Sequence, residues 1–125
     1  MLFLSIDFGT SAVKLSIVDQ DGDVKGWAKE DYSYIILPGE KSEIDSRELF
    51  YALFKAASNL DSNLRRQVEC VCYDTFSPSP VFMNENGDLV YPNIITHMDR
   101  RSRAQTDYID KVIGKDAYMN IIRLC

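Results

Sequence analysis

The sequence predicts a mixed α/β domain. Three features carry that reading: period-two alternation through the first thirty residues, one strongly capped amphipathic helix after Ile44, and a short apolar strand beyond it. At 125 residues, with 46% hydrophobic side chains and only 6 glycines and 4 prolines, the chain suits one packed domain and is too short for two.

Leu2, Leu4, Ile6 and Phe8 share one parity, and Phe3, Ser5 and Asp7 share the other, which points the carboxylate away from the first apolar row. Gly9-Thr10-Ser11 interrupts the run, and Val13, Leu15 and Ile17 restore the alternation. Asp21-Gly22 is a hairpin-turn dipeptide, since glycine accepts positive φ and aspartate tolerates it. A third strand covers Val24 to about Glu30, with Trp27 read as a packing residue rather than a ligand platform. The segment from Tyr32 to Glu43, containing Pro38-Gly39, is expected to be irregular. Asp45 then caps a helix and Glu48 is placed to reciprocate, with Ile44 and Leu49 as the hydrophobic staple. Leu49, Leu53, Ala56 and Leu60 form the core stripe, widened by Phe50, Phe54 and Ala57, and the helix ends near Asn59 to Asn63.

Val68 to Tyr73 returns as a strand, expected beside the first strand and parallel to it after the helical crossover. Thr75 to Pro80 is too rich in turn formers to continue it simply. Val81 to Met83 and Leu89-Val90 flank a second turn, Asn84-Glu85-Asn86-Gly87, and Pro92 confines Tyr91 and Asn93 to an edge or loop. A second helix is expected from about Asp99, with Ala104, Tyr108 and Val112 as its apolar stripe and Gly114 as its stop. Residues 116–125 read as the start of another helix cut off by the end of the chain.

Fourteen basic against nineteen acidic residues give a net charge of -5, which argues against a general nucleic-acid binder. It leaves room for one phosphorylated small molecule held by backbone amides and a lysine. Cys70, Cys72 and Cys125 cannot all pair within the chain and suit a reducing cytoplasm. No stretch is long and apolar enough for a membrane span, and the N-terminus lacks the pattern of a signal peptide. A lone histidine, His97, reads as a structural side chain, without the partners a zinc site or a Ser-His-Asp triad would need.

The chemistry concentrates in Asp7-Phe8-Gly9-Thr10-Ser11-Ala12-Val13-Lys14. A glycine turn offers backbone N–H groups, Thr10 and Ser11 add hydroxyls, Asp7 can hold a hydrated magnesium ion, and Lys14 can balance phosphate charge. The same pattern suits an ordinary hairpin, so these residues alone leave phosphate binding and a plain turn both open. It is neither a Walker A loop nor a dinucleotide fingerprint.

LSIDFGTSAVKLSIVDQDG resembles the first phosphate hairpin of the actin, Hsp70 and sugar-kinase superfamily, and more specifically the start of the FGGY carbohydrate kinases. The resemblance continues through PGEKSEIDSRELF and through VECVCYDTFSPSPVFMNENGDLVYPNIITHMDRRSRAQ, covering nearly the whole chain. It implies a ribonuclease H-like α/β fold with a mixed sheet and flanking helices, incomplete at the C-terminus. Residues 1–125 would be the N-terminal portion of the sugar-binding domain, with the ATP-binding domain absent. The implied activity of the full-length protein is transfer of the ATP γ-phosphoryl group to a hydroxyl of a sugar, sugar acid or polyol. ATP and Mg2+ are the implied cofactors, with no nucleic-acid or membrane partner, and a homodimer is compatible with the full-length protein. The contrasting reading is a noncatalytic small-ligand or protein-interaction domain that reuses the hairpin.

By resemblance, Gly9, Thr10, Ser11 and Lys14 match the family's phosphate hairpin and Asp7 its aspartate near magnesium. Phe76, Ser77 and Pro78 fall on the loop that contacts substrate in family members, but match neither the Gln-Met-His run of xylulokinases nor the Gln-Arg-Glu run of glycerol kinases. Ser77 suits a sugar hydroxyl and a turn cap equally. Asp99 matches a family aspartate, and helix capping or cleft architecture is favoured for it over direct sugar contact. The family's catalytic aspartate is expected beyond residue 125.

Overall fold

A computed structural model describes residues 1–114, 116, 117 and 119. Strands β1 (Leu2–Phe8), β2 (Ala12–Asp19), β3 (Val24–Asp31) and β6 (Val68–Thr75) form a four-stranded sheet in the order β3-β2-β1-β6. A second sheet has the order β4-β5-β7, from β4 (Ile35–Leu37), β5 (Lys41–Asp45) and β7 (Asn93–Ile95). Helices α1 (Ser46–Asn59) and α2 (Ser62–Arg66) make the crossover from β5 to β6, and α3 (Arg103–Ile113) follows β7.

The first three strands are antiparallel and β6 runs parallel to β1, as the alternation and the crossover predict. Asp19 accepts from the amides of Asp21 and Asp23, and Gly22 takes φ 89° at the tip, so the Asp21-Gly22 turn closes the β2–β3 hairpin. Val13, Leu15 and Ile17 lie on the same sheet face as the Leu2-to-Phe8 row and bury against Leu49, Ala52, Ala56 and Leu60 of α1 and its end. Asp45 caps α1, accepting from the amide of Arg47 at 2.8 Å. Glu48 does not reciprocate, because its carboxylate accepts instead from the amide of Ser33 at 3.1 Å.

Four expectations need correction. Tyr32 to Glu43 is not irregular: β4 and β5 pair as a hairpin around Pro38-Gly39, and β7 completes the sheet from 50 residues later. Phe50 and Phe54 do not widen the core stripe but are exposed, because α1 lies over β2 and β3 and leaves its other flank open above β6. Trp27 is not packed; it is 72% exposed, sharing its sheet face with Lys29 and opposite Ser16 in register. The second helix begins at Arg103 rather than Asp99, and Ala104, Tyr108 and Val112 are exposed, although Gly114 ends it as expected. The helix expected over 116–125 falls largely outside the described residues.

Candidate functional site

The β1–β2 hairpin places Asp7 opposite Lys14, and because cross-strand partners share a face, both side chains leave the helix-covered side. Lys14 Nζ stands 3.0 Å from Asp7 Oδ2, and both side chains are about half exposed. An ion pair this open is weak and exchanges partners readily. The Gly9 amide donates to the Ala12 carbonyl at 3.0 Å, closing the turn, and Thr10 and Ser11 are exposed at its tip. A Cβ at Gly9 would stand 3.2 Å from the Ala12 carbonyl oxygen and 3.7 Å from Lys14 Nζ. Glycine therefore spares the turn a close contact with its own carbonyl oxygen and leaves bare backbone beside the charged pair.

The turn is held from below by Tyr32, which sequence reasoning did not single out. Its amide donates to the Ser11 carbonyl at 3.1 Å, and its buried hydroxyl donates to the Gly9 carbonyl. Burial pushes that hydroxyl up to about 12, with Tyr34 and Asp7 adding to the effect, so it stays a donor throughout the working range. Its signal was the alternation of Ala28, Glu30 and Tyr32. A second carboxylate, Asp74, is the in-register neighbour of Asp7 on β6 and was also missed. It is exposed, and its Oδ1 accepts from the Thr75 amide at 2.8 Å.

Phe76 sits against the hairpin, its amide donating to the Phe8 carbonyl at 3.1 Å, and is half-buried. With Phe8, Tyr73, Val81 and Leu89 it lines an apolar groove of about 750 Å³. Ser77 and Pro78 are exposed beside it, joined by a cis peptide bond. Asp99 lies elsewhere, on a separate depression of about 480 Å³ shared with Glu40, Arg100 and Arg103. Its carboxylate accepts from the amides of Ser42 (2.8 Å) and Arg101 (2.9 Å) and from the Arg101 guanidinium (2.8 and 2.9 Å). The structure thus brings Asp7, Gly9 and Lys14 together, ties the Phe76 backbone to the end of β1 while its side chain joins the groove on the helix-covered face, and keeps Asp99 apart. The side chain of His97 is exposed, and its carbonyl accepts from Arg100 at 3.1 Å.

Behind Asp99 is a buried ionic cluster that the sequence did not announce. Glu43, at 0% exposure, accepts from Tyr91 (2.7 Å), Asn93 (2.6 Å) and the Arg101 guanidinium. Burial works to raise the Glu43 carboxyl, and the hydrogen bonds from Arg101, Asn93 and Tyr91 outweigh it and hold it below the usual range. Asp99 is pulled down to about 2, chiefly by the hydrogen bonds from Arg101, against the opposing effect of burial. Arg101 is raised in turn, first by Asp99 and then by Glu43. All these groups are charged near neutrality, and their lone pairs are used to fix the chain rather than to meet a ligand.

Among the described residues, no group of three or more His, Cys, Asp or Glu is placed to hold a metal ion. A single open carboxylate such as Asp7 fits magnesium, which keeps most of its water and leans on one or two carboxylates and on substrate phosphates. No described helix is long and apolar enough to cross a membrane.

Residues 2–124 match the N-terminal domain of the FGGY family of carbohydrate kinases. No curated protein sequence matches the chain. Among solved structures it is similar to a xyloylose kinase from Brucella ovis, with TM-score 0.79 and 18% identity over 89% of this chain and 24% of that one. It is also similar to a gluconate kinase from Lactobacillus acidophilus, with TM-score 0.74 and 19% identity over 91% and 23%. A glycerol kinase from Plasmodium falciparum, solved with ADP, gives TM-score 0.70 and 18% identity over 89% and 23%. The chain spans about a quarter of the length of these proteins. At such identities the likeness establishes the fold, and its even spread over three differently named kinases favours no one substrate.

Proposed function

Because this chain belongs to the FGGY family of carbohydrate kinases, we propose that it supplies the N-terminal part of the sugar-binding domain of an ATP-dependent kinase acting on a sugar, sugar acid or polyol. The observation that carries the reading is the hairpin: Asp7 and Lys14 paired at 3.0 Å beside a glycine whose Cβ position is already crowded. Phosphoryl transfer depends on positioning and on neutralising charge spread over the phosphate oxygens. In this assignment Lys14 turns from Asp7 to a phosphate oxygen, Thr10 and Ser11 offer hydroxyls, and Tyr32 keeps the turn in shape. Asp7 is the residue that would hold hydrated magnesium, which supplies charge neutralisation when bound. Phe76, Ser77 and Pro78 would border the sugar, and Asp99, its oxygens already engaged, would shape the adjoining loop. The catalytic aspartate and the adenosine contacts are assigned to sequence beyond residue 125. The exposed thiols of Cys70 and Cys72 agree with a reducing cytoplasm.

The test is ATP-dependent phosphorylation of a panel of polyols, ketoses, aldoses and sugar acids by the full-length polypeptide. Asp7→Asn should lower kcat by about a hundredfold while sugar affinity, read by calorimetry, changes little. Residues 1–125 alone should give no turnover, since half a closed site cannot orient both substrates. Near-normal kcat in folded Asp7→Asn at limiting magnesium would refute the role of Asp7. Turnover proportional to purified 125-residue chain would refute the division of labour.

A further inference from the structure

Strand β6 forms one edge of the four-stranded sheet, and all of its residues after Val68 are exposed. Its register with β1 sets Cys70 across from Phe3, Cys72 across from Ser5 and Asp74 across from Asp7, so the two thiols share the face that α1 leaves uncovered. Both are free. The Cys70 Sγ donates to the Val71 carbonyl at 3.9 Å, which leans it along the strand toward Cys72. The Cys72 thiol is pushed up, first by the charge of Cys70 and then by a hydrogen bond with it. Two thiolates this close repel one another, and a cation placed between them turns the repulsion into attraction.

We infer that Cys70 and Cys72 form a two-thiolate clip for a soft monovalent cation of the Cu(I) class. Spacing, ligand count and ligand type each narrow the choice. Residues two apart on a strand carry their Cβ atoms about 6.6 Å from each other, against about 3.5–4.5 Å in a disulfide, so direct S–S closure would distort β6. Two sulfur–metal bonds of about 2.3 Å, nearly in line, hold the sulfurs about 4.6 Å apart. Side chains leaning together reach that separation without moving the backbone. Among the described residues no third His, Cys, Asp or Glu is placed to join them. Zn(II), which takes four ligands in a structural site, is thereby disfavoured, and a purely thiolate donor set suits Cu(I). Asp74, two residues on along the same face, and the net charge of -5 favour a cation over an anion. Binding breaks two S–H bonds, releases both protons to the buffer, forms two sulfur–metal bonds and changes no oxidation state.

The probe is Cu(I) itself, kept reduced in the absence of oxygen and offered to the 125-residue chain carrying Cys125→Ser, so that Cys70 and Cys72 are the only thiols. In competition with a chromogenic Cu(I) chelator, the chain should withdraw one Cu(I) per monomer. Cys70→Ser and Cys72→Ser should each raise the Kd about a hundredfold, because the second sulfur no longer binds as an intramolecular partner. Glu69→Cys combined with Cys70→Ser keeps two thiols but puts them on opposite faces of β6, and should bind as weakly as Cys70→Ser alone. All three positions are exposed, and circular dichroism checks that each variant keeps the fold. Two Cu(I) per chain, a doubled mass on loading, full affinity in either single variant, or full affinity in the face-switched variant would overturn the clip. Zn(II) held as tightly would overturn the choice of Cu(I). The measurement needs no turnover, so its failure leaves the kinase reading standing, and failure of that reading leaves the clip standing.

Discussion

Replacing Arg101 by methionine tests whether the buried cluster holds the second sheet in place. The substitution keeps most of the side-chain bulk and removes the guanidinium. Glu43, at 0% exposure, then keeps Tyr91 and Asn93 as donors but loses its cation. Asp99, whose side chain is 5% exposed, loses two charge-assisted bonds and keeps the amides of Ser42 and Arg101. Breaking a buried pair by deleting one partner costs about 3–5 kcal/mol, since the survivor stays charged without compensation. The guanidinium is itself 29% exposed, which admits water to the vacated site and favours the lower end, about 3 kcal/mol. Against a total stability of roughly 5–15 kcal/mol for a domain, such a loss is easily read from urea unfolding followed by circular dichroism near neutral pH. Adding Glu43→Gln removes the orphaned charge, and rotation of the Asn93 amide restores a partner, so the double variant should regain at least about 1 kcal/mol over Arg101→Met. A loss below about 1 kcal/mol for the single variant, or a double variant no more stable than the single, would refute the claim that Arg101 neutralises Glu43.

Two further outcomes follow from the same geometry. Folded-state carboxyls held below their unfolded values stabilise above the unfolded pKa, so the native chain should lose stability as pH falls from about 4 through about 2, the folded value of Asp99; urea midpoints measured across that window should show a smaller drop in Arg101→Met. Tyr32→Phe removes the hydroxyl that supports the Gly9 carbonyl and should cost about 1 kcal/mol, with faster amide exchange in the 9–11 turn as the local signature; unchanged exchange there would show that Tyr32 packs without shaping the turn.

The four-stranded sheet was legible because its determinants are local. Alternation over Leu2 to Ile17, an Asp-Gly turn and a capped helix each lie within a few residues, and the crossover rule then fixes the placement of β6. The second sheet was not, since β4 and β7 are three residues each and β5 finds its far partner 50 residues away; no short window contains that information. Trp27 was misplaced for a different reason. Lys25, Trp27 and Lys29 share one parity and Gly26 and Ala28 the other, so the pattern put the indole on the charged face, but its size favoured packing. Phe50 and Phe54 were misplaced because the stripe does not say which flank of α1 the sheet covers: the helix packs over β2 and β3, and the two aromatics lie outside that contact. Within the site, Asp7, Gly9 and Lys14 were readable from the hairpin motif, whereas Glu43 was not, because an acidic residue in a polar stretch gives no sign that an arginine 58 positions later will bury it.

The hairpin and the Asp99 loop have no side chain in common, yet they are mechanically one object. Ile44 of β5 and Ile94 of β7 bury in the same cluster as Val13, Leu15 and Leu49, so the second sheet shares its apolar core with the strands that carry Asp7 and Lys14. Ser46 adds a polar tie at the junction, its amide and hydroxyl both donating to the Pro92 carbonyl at 3.3 and 2.7 Å. Arg101 anchors the loop after β7 to Glu43 on β5, two residues before the cap of α1. Displacing that loop must therefore disturb either a buried ion pair or the seat of the helix that covers β2. Under the proposed kinase assignment two substrates would have to be held within fractions of an ångström of each other, and a rigid path from the Asp7–Lys14 hairpin to the Asp99 loop would serve that need. The costly buried charges of Glu43, Asp99 and Arg101 would then serve to fix the loop in one register, which a well-packed apolar trio, holding the core as firmly, would not do.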